Sequence, residues 1–247
     1  MKVIVIIPAA GLGTRMASPA TRGKEAPTKQ FTELGGTPIL IHTLRKFVEN
    51  ESVSEIHVAL RANEMAGFRA RLEKESHDLP RRVHLVEGGE HRQQSVANAI
   101  NSITAAPDDI VLVHDAVRPF VTAEIIQDVI QAAQKYGAAI AGLPAVDTVK
   151  QVERTAEGAL VTATIPRERV VLAQTPQGFR YDVMKKAFDE AAADGFTGTD
   201  EASLIERSGH EVAVVMGSPR NIKITTPADL ELAEFYLHAT ARAADSR

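Results

Sequence analysis

The strongest constraint on the fold lies at the start of the chain, where Val3 to Ile7 form an unbroken apolar run rich in β-branched residues. Such a run predicts a strand buried on both faces, as in the middle of a parallel sheet. Small residues follow at once, in the order Pro8-Ala-Ala-Gly-Leu-Gly-Thr-Arg15. Ligands of open α/β sheets bind at the carboxyl ends of strands, and small residues let backbone N–H groups approach an anion. The stretch therefore predicts a phosphate-binding loop; the alternative is an ordinary strand–turn–helix connection.

Two common phosphate-binding loops do not fit this stretch. A dinucleotide-binding loop needs Gly or Ala three residues after its second glycine, where this chain has Met16. A Walker A loop needs a glycine five residues before Gly-Lys-Ser/Thr. The only Gly-Lys pair is Gly23-Lys24, which has Ser18 in that earlier position and Glu25 after it. With Lys29-Gln-Phe31 downstream, the stretch instead resembles the signature of the nucleotidyltransferases that activate sugars and polyols. That resemblance implies a loop that wraps a nucleoside triphosphate, with Arg15 as a permanent cation.

Apolar runs and helical patterns alternate through the first 140 residues. Further strands are predicted at Glu55–Leu60, Arg82–Glu87, Ile110–Val113 and Ala138–Leu143. Helices are predicted between them, one starting at Thr37-Pro38 and one running from a Thr122 cap to Gly137. This alternation predicts an α/β fold, a Rossmann-like doubly wound, mostly parallel sheet with helices on both faces.

The alternation breaks near residue 146. Two short strand-like runs, Asp147–Val152 and Ala159–Ile165, flank the turn-like cluster Thr155-Ala-Glu-Gly158. A hairpin cannot bury both its faces alone. We therefore expect a β-arm at about 146–170 that reaches a second copy of the chain; the alternative is a hairpin packed on its own domain. Without repeats or a linker, residues 1–247 are interpreted as one domain.

Four elements are predicted after the arm, and each has a recognisable boundary. They are a short strand at Val170–Ala173, a helix at Tyr181–Asp194, a helix capped by Thr199, and a strand at Glu211–Met216. A last short strand, Ile222–Thr225, leads to a helix that starts at Thr226-Pro227.

The bulk composition excludes several classes of protein. Of 247 residues 44% are hydrophobic and 24% charged, as in ordinary globular proteins, and the net charge is −4. A nucleic-acid or anionic-membrane binder would carry a basic surface, so neither partner is expected. There is no cysteine for a disulfide or a thiolate metal site. With no apolar run of membrane length and a strand that begins at residue 3, a cytoplasmic location is expected.

Three later stretches could carry chemistry. Gly88-Gly-Glu-His-Arg-Gln-Gln-Ser95 follows a strand, and Ser95 either binds a base or ribose or only starts a helix. Asp115 follows another strand and either holds Mg²⁺ or a ribose hydroxyl, or pairs with Arg118; His114 is interpreted as a packed side chain. Lys223 stands between Ile222 and Ile224, so it needs an acidic partner or an anionic substrate, of which the substrate is favoured.

In this order and spacing, the motifs closely resemble those of the 2-C-methyl-D-erythritol 4-phosphate cytidylyltransferases. The resemblance extends from Ile7 to Leu237. It rests on Pro8-Ala-Ala-Gly-Leu-Gly-Thr-Arg-Met16, Lys29-Gln-Phe31, Gly88-Gly-Glu-His-Arg92 with Ser95, Val113-His-Asp-Ala-Val-Arg-Pro119, Asp147-Thr-Val-Lys150, Thr175-Pro-Gln177, Thr199-Asp-Glu-Ala202 and Asn221-Ile-Lys223. The chain departs from the family pattern in its longer loop before Lys29, which also carries Lys24.

The resemblance implies a reaction and a site. The reaction is transfer of CMP from CTP to 2-C-methyl-D-erythritol 4-phosphate, with release of pyrophosphate, in non-mevalonate isoprenoid precursor synthesis. Arg15 and Lys29 would stabilise the transition state, with Lys24 as the alternative to Lys29, and Arg167 and Lys223 would position the acceptor. CTP would be held by Ala9, Ala10, Gly11, Gly13, Thr14, Gly89, Glu90, Ser95, Asp115 and Ala116. The acceptor would be held by Arg118, Thr148, Arg167, Thr175 and Lys223.

The resemblance also implies Mg²⁺, bound mostly through the CTP phosphates with Asp115 as a possible ligand, and a homodimer joined by the arm. A phosphate monoester is largely dianionic at pH 7 because its second pKa is about 6, so the attack on CTP needs no general base. Cations and backbone N–H groups suit that chemistry. Two alternatives stay open: a cytidylyltransferase for ribitol 5-phosphate or another polyol phosphate, and a non-catalytic nucleotide-binding regulator.

Overall fold

A seven-stranded sheet forms the centre of the computed structural model, which describes residues 1–11, 29–75 and 79–245. Its strands are β1 (Val3–Pro8), β4 (Glu55–Leu60), β5 (Val83–Glu87), β6 (Ile110–Val113), β7 (Ala138–Pro144), β10 (Val171–Arg180) and β11 (Ala213–Met216). They lie in the order β11-β7-β10-β6-β1-β4-β5. Only β10 runs antiparallel to its neighbours, β6 and β7, so the predicted mostly parallel sheet is confirmed.

Helices cover both faces of this sheet. They are α1 (Ile39–Val48), α2 (Ala62–Glu75), α3 (Leu79–Arg82), α4 (Arg92–Ser102), α5 (Ala123–Tyr136), α6 (Tyr181–Ala193), α7 (Glu201–Arg207) and α8 (Pro227–Asp245). Side chains of β1 alternate between two cores, as a central strand requires. Val5 packs with residues of α1 and α5, whereas Ile4 packs with residues of α4 and α6. The apolar start of the chain is therefore buried on both faces, as predicted.

The predicted helix signals are confirmed at α5 and corrected at two other helices. Thr122 caps α5 by accepting a hydrogen bond from Ile125 N, and Gly137 ends it at φ 86°. Thr37-Pro38 does not start α1: it forms a short strand, β3 (Thr37–Pro38), that pairs with β2 (Glu33–Leu34). The cap of α7 is Asp200 rather than Thr199, because the Asp200 carboxylate accepts from Ser203 N at 3.0 Å.

Two strand predictions in the last third need correction, because one strand is longer than predicted and the other is absent. The strand predicted at Val170–Ala173 extends to Arg180, because its second half continues the pairing with β7 beyond a register shift and also pairs with β6. Residues 222–225 form no strand; Ile224 N instead donates to Val117 O at 2.9 Å. That bond ties the segment to the loop after β6.

The predicted hairpin is confirmed as β8 (Val149–Thr155) and β9 (Gly158–Ile165), which we call the arm. Almost all its side chains are exposed, so it does not pack on the described part of its own domain. Leu160 and Val161 are 66% and 61% exposed. No helix in the described part of the chain is both long and apolar enough to cross a membrane.

Candidate active site

The carboxyl ends of β1 and β6 and the loop after β5 open onto one cleft. It is lined by Pro8, Ala9, Ala10, Gly11, Lys29, Gln30, Gly89, Glu90, His91, Arg92, Ser95, Asp115, Ala116, Val117 and Lys223. Ten of these are residues that the sequence assigned to the site: Ala9, Ala10, Gly11, Lys29, Gly89, Glu90, Ser95, Asp115, Ala116 and Lys223. Gly13, Thr14 and Arg15 lie outside the described residues, as does the stretch from Ala17 to Thr28 with Lys24. A parallel sheet thus gathers distant motifs at one edge.

The loop after β1 is fixed from both sides. Ala9 N donates to Ala59 O at 2.8 Å, which continues the β1–β4 ladder by one residue. Gln30, which is buried, donates through Nε2 to Ala9 O at 2.6 Å. The Gln30 amide therefore attaches the segment that carries Lys29 to the strand-end loop.

The loop after β5 is shaped by its own side chains. Ser95 is buried, and its hydroxyl oxygen accepts from Gly89 N at 3.0 Å and donates to His91 O at 3.1 Å. Gln94 accepts from Glu90 N at 2.9 Å. A Cβ placed on Gly88 would lie 2.5 Å from Ala10 Cβ, which shows how closely the two loops approach. Ser95 therefore stabilises the loop that faces the cleft, independently of any contact with a ligand.

Asp115 forms the centre of a charged cluster on the floor of the cleft. Its Oδ2 lies 3.0 Å from Lys223 Nζ and accepts from Arg118 Nε at 3.1 Å. Its Oδ1 lies 3.6 Å from Arg92 Nε. The sequence analysis offered a pair with Arg118 as one of the alternatives for Asp115, and the structure contains that pair. It also offered Lys223 an acidic partner, and Asp115 is that partner.

The electrostatics of this cluster keep Asp115 ionised. Burial by itself would raise the pKa of the Asp115 carboxyl, but Lys223, Arg92 and Arg118 outweigh it and hold that pKa far below its usual range. Both carboxylate oxygens face cations, which is a poor environment for a divalent metal ion. Within residues 1–11, 29–75 and 79–245, no group of three His, Asp or Glu side chains could hold a metal ion. These contacts do not favour Asp115 as a direct Mg²⁺ ligand.

Arg92 connects this cluster to a second carboxylate. Its Nη1 lies 2.5 and 2.7 Å from the two carboxylate oxygens of Glu201, the first residue of α7. Glu201 is 1% exposed. Burial raises the pKa of the Glu201 carboxyl, and Arg92 opposes that shift. Removing Arg92 would leave the buried Glu201 carboxylate without this partner, which is costly in a protein interior.

His114 is packed below the cleft, as predicted. Burial lowers its pKa to about 4, so the imidazole is neutral at pH 7. We assign the Nε2 proton from its 3.0 Å contact with Arg118 O, which leaves Nδ1 to accept from the Thr175 hydroxyl at 3.1 Å. Thr175 Oγ1 in turn accepts from Asp115 N at 3.0 Å. Thr175 therefore orients the Asp115 backbone, and it lines a second hollow on the other side of the Asp115 cluster.

Arg118 and Asn221 close the cluster from the other side. Arg118 Nη1 donates to Asn221 O at 2.7 Å, and Asn221 Nδ2 donates to Thr175 O at 2.8 Å. All three residues are buried. The backbone next to Lys223 is thereby fixed beside β10, even though residues 222–225 belong to no strand.

Two residues assigned to the acceptor lie outside the cleft of their own chain. Thr148 precedes β8 and is exposed. Arg167 follows β9, donates through Nη1 to Val146 O at 2.8 Å, and has a side chain that is 56% exposed. Both stand at the base of the arm, so neither is brought to Asp115 within one chain.

The family is decided by a comparison of the whole chain with known proteins. The family model described as 2-C-methyl-D-erythritol 4-phosphate cytidylyltransferase matches residues 3–239. The chain belongs to this family. It is therefore a nucleotidyltransferase by descent, which agrees with the family resemblance drawn from its motifs.

Individual relatives agree in length, sequence and shape. A protein of Acidobacterium capsulatum named 2-C-methyl-D-erythritol 4-phosphate cytidylyltransferase is 57% identical over 96% of this chain and 98% of its own length. One of the same name from Solibacter usitatus is 51% identical, covering 98% of both chains. The crystal structure of the Francisella tularensis protein of that name aligns with a TM-score of 0.77, at 37% identity over 95% of this chain and 99% of that one.

Three residues of this cytidylyltransferase-family site escaped the sequence interpretation: Gln30, Arg92 and Glu201. All three belong to the family motifs, but no role was predicted for any of them. A signal was available for Arg92. It is the first residue of α4, where the helix dipole disfavours a cation, so a nearby acid was to be expected.

Proposed function

We propose that the protein transfers CMP from CTP to 2-C-methyl-D-erythritol 4-phosphate, giving 4-diphosphocytidyl-2-C-methyl-D-erythritol and pyrophosphate. The observation that carries the proposal is the cluster around Asp115, which collects Arg92, Arg118 and Lys223 at the sheet edge beside two small-residue loops. Relatives that are 57% and 51% identical over nearly their whole length bear the name of this activity.

The cleft continues on both sides of the cluster, which suits two substrates. The first part, with Ala9, Ala10 and the loop of Gly89, is our proposed CTP site. The second part shares Arg92, Asp115 and Lys223 with the first and adds Arg118, Ala173, Gln174, Thr175, Gln177, Thr199 and Asp200. We assign this second part to the acceptor. Its phosphate would then meet the α-phosphorus of CTP above the shared cations.

The reaction demands charge neutralisation more than proton transfer. An acceptor oxygen attacks the α-phosphorus, and the bond to the β-phosphate bridging oxygen breaks to release pyrophosphate. Negative charge accumulates while two anionic groups come together, so cations aimed at the transition state supply the catalysis. We propose Lys29 and Arg15 for that role and Lys223, Arg118 and Thr175 for holding the acceptor in line.

The arm supplies the remaining acceptor residues in a homodimer. Val152, Leu160 and Val161 expose apolar side chains on a hairpin that packs against no other element among the residues the structure describes. Such a surface favours burial against a second copy. Thr148 and Arg167, at the base of the arm, would then enter the acceptor site of the partner subunit. Sedimentation velocity tests the dimer: a wild-type monomer at micromolar concentration would contradict it.

We propose that Mg²⁺ enters with the CTP phosphates as part of the substrate. The three cations around Asp115 already occupy its oxygens, so this chain supplies no preformed metal cage there. Excess chelator is expected to abolish turnover, while leaving the folded protein's melting temperature unchanged.

Pyrophosphate release decides the function. Purified protein is supplied with CTP, Mg²⁺ and either 2-C-methyl-D-erythritol 4-phosphate or ribitol 5-phosphate, with CTP alone as the control. The expected result is release with the methylerythritol phosphate at a kcat/KM far above that with ribitol phosphate. The reverse preference would make the protein a polyol-phosphate cytidylyltransferase of another specificity. No release with either, together with measurable CTP binding, would indicate a non-catalytic regulator.

A further inference from the structure

We propose that Glu201 is a positioning residue for cytidylyl transfer: it holds Arg92 in place, so that Asp115 keeps its contact with Lys223 and Lys223 stays positioned for the acceptor. The proposal rests on the function proposed above. Glu201 is not among the described residues that line either part of the cleft, and its carboxylate meets the lining at the Arg92 guanidinium.

Glu201 is held rigidly before any substrate binds. It is the first residue of α7, next to the Asp200 cap. Buried Gln177 on β10 fixes that helix start twice, since Nε2 donates to Asp200 Oδ2 at 2.8 Å and Oε1 accepts from Ala202 N at 3.1 Å. Because this helix start is so constrained, the Glu201 carboxylate is well placed to orient the longer and more flexible side chain of Arg92.

Arg92 is the part of the pair that faces ligand. Its guanidinium lines both parts of the cleft and lies between Glu201 and Asp115. The next residue, Gln93, donates to Phe196 O at 3.0 Å and accepts from Gly198 N at 2.9 Å. The first turn of α4 is thus joined to the loop before α7 by an ion pair and two hydrogen bonds.

The charges around Asp115 show what would change if Glu201 were neutral. Asp115 and Glu201 are opposed by Arg92, Arg118 and Lys223, which leaves one net positive charge for an incoming phosphate. If Glu201 is neutralised, Asp115 becomes the nearest carboxylate to Arg92. Arg92 would then compete with Lys223 for Asp115, although the cluster as a whole would remain cationic. We therefore expect the loss of Glu201 to disturb the placement of Lys223 and of the acceptor. The attraction of the cluster for anions should remain.

The CTP-facing loops have their own supports and should be spared. Gly89 is held by Ser95, Glu90 by Gln94, and Ala9 by Gln30. None of these bonds involves Glu201. We therefore expect a variant at Glu201 to bind CTP within about threefold of wild type, while kcat/KM for the acceptor falls about 100-fold, as a misplaced reactant allows.

The experiment is a double-mutant cycle with E201Q, R92Q and the double variant, measured as kcat/KM for the acceptor and as the Kd of CTP by calorimetry. Each single variant should lose about 100-fold, and the double should lie within about threefold of the worse single because both act through one pair. E201D should recover much of the loss. E75Q is the matched control: Glu75 accepts from Arg45 and Arg71 at 2.7 and 2.8 Å far from the cleft and should behave as wild type.

A crystal structure of E201Q provides the second readout, with the Arg92 guanidinium expected to move towards Asp115. The proposal is overturned if E201Q keeps wild-type kcat/KM, if the losses of the single variants multiply in the double, or if Arg92 keeps its position in the crystal. Should E201Q fail to fold, R92Q, whose side chain is 31% exposed, and E201D decide in its place. A wild type that releases no pyrophosphate overturns the proposed function instead, and the E201Q crystal still decides whether Glu201 holds Arg92.

Discussion

The Lys223 ammonium lies 3.0 Å from Asp115 Oδ2, at the point where the two parts of the cleft meet. Asp115 also faces two arginines, so it does not depend on Lys223 for compensation. Lys223 can therefore turn towards an incoming phosphate without leaving a buried carboxylate unpaired. The acidic partner and the anionic substrate, which the sequence offered as alternatives, are compatible roles of one side chain.

Lys29→Ala is expected to lower kcat about 10²–10³-fold and to change the Kd of CTP far less. Lys29 lines the CTP side of the cleft, and a cation that acts on charge developing in the transition state affects rate more than ground-state binding. Single-turnover kinetics with saturating acceptor and calorimetry with CTP provide the two measurements. Near-normal turnover would remove Lys29 from the mechanism, and Lys24→Ala would then be the variant to test.

The fold was predictable where local signals and burial agree. The run from Val3 to Ile7 needs no tertiary information to be identified as a central strand, and the Thr122 cap and Gly137 stop define α5. Predictions failed where pairing partners lie far away in sequence. The part of β10 after Ala173 holds Gln174, Thr175 and Gln177, which are buried by segments distant in sequence, including β6, β7 and the loop with Asn221. Thr37-Pro38 failed for a different, local reason: it resembles a helix start, but it forms a tight hairpin with the adjacent Glu33–Leu34.

The site was predictable as a set of strand ends, because parallel sheets gather them at one edge. The sequence did not predict the contacts by which one motif holds another in place. Glu201 suits the N-terminus of α7 through the helix dipole alone, so nothing in the local sequence signals its second role. Gln30 is a polar residue of a short segment, and its bond to Ala9 O follows from the folded chain only.

Arg167→Ala is expected to raise the KM of the acceptor about 10–100-fold and to leave the Kd of CTP unchanged, as befits loss of a charge-assisted contact to a phosphate. The reason is its proposed place in the partner's acceptor site. Lys185→Ala is the matched control, because Lys185 is a half-exposed cation that pairs with Asp189 on α6, away from the cleft. Unchanged kinetics for Arg167→Ala would exclude it from the site.

Mixing two impaired variants, assayed at an acceptor concentration well below the KM of Arg167→Ala, tests whether subunits share a site. In a mixed dimer of Arg167→Ala and Lys29→Ala chains, one shared site would carry both defects and the other none. Random exchange should then restore up to about a quarter of wild-type activity, as two-fold symmetry dictates. If each site were built from one chain, no intact site would form and mixing would restore nothing.

The free energy of unfolding should depend on pH through His114. An unfolded imidazole binds its proton near pH 6.5, whereas burial lowers the pKa of His114 in the folded chain to about 4. Between these values the unfolded state binds more protons, so stability increases with pH and is lost as the pH falls from 6.5 to 4. One such group contributes about 3 kcal/mol over that range.

In His114→Gln, the slope of the unfolding free energy against pH should decrease by the equivalent of about one bound proton between pH 6.5 and 4. Urea unfolding at a series of pH values measures this slope. The variant should also be less stable at pH 7.5, because His114 bonds both Arg118 O and the Thr175 hydroxyl. Exposed His238→Gln provides the comparison for loss of an imidazole. An unchanged slope in His114→Gln would contradict the assignment of the proton uptake to this residue.

Gly88→Ala is expected to weaken CTP binding about 10–100-fold. The new Cβ would lie 2.5 Å from Ala10 Cβ and 3.1 Å from Ser95 Oγ, and neither neighbour has a flexible end that could swing away. Overpacking of this kind costs about 1–3 kcal/mol, and here it would push apart the two loops assigned to the nucleotide. Calorimetry with CTP measures the effect. Gly67→Ala on α2 is the control, since a Cβ there meets nothing within 4 Å and a helical alanine is favourable. Equal CTP affinity in both variants would mean that the close approach of the loops does not determine nucleotide binding.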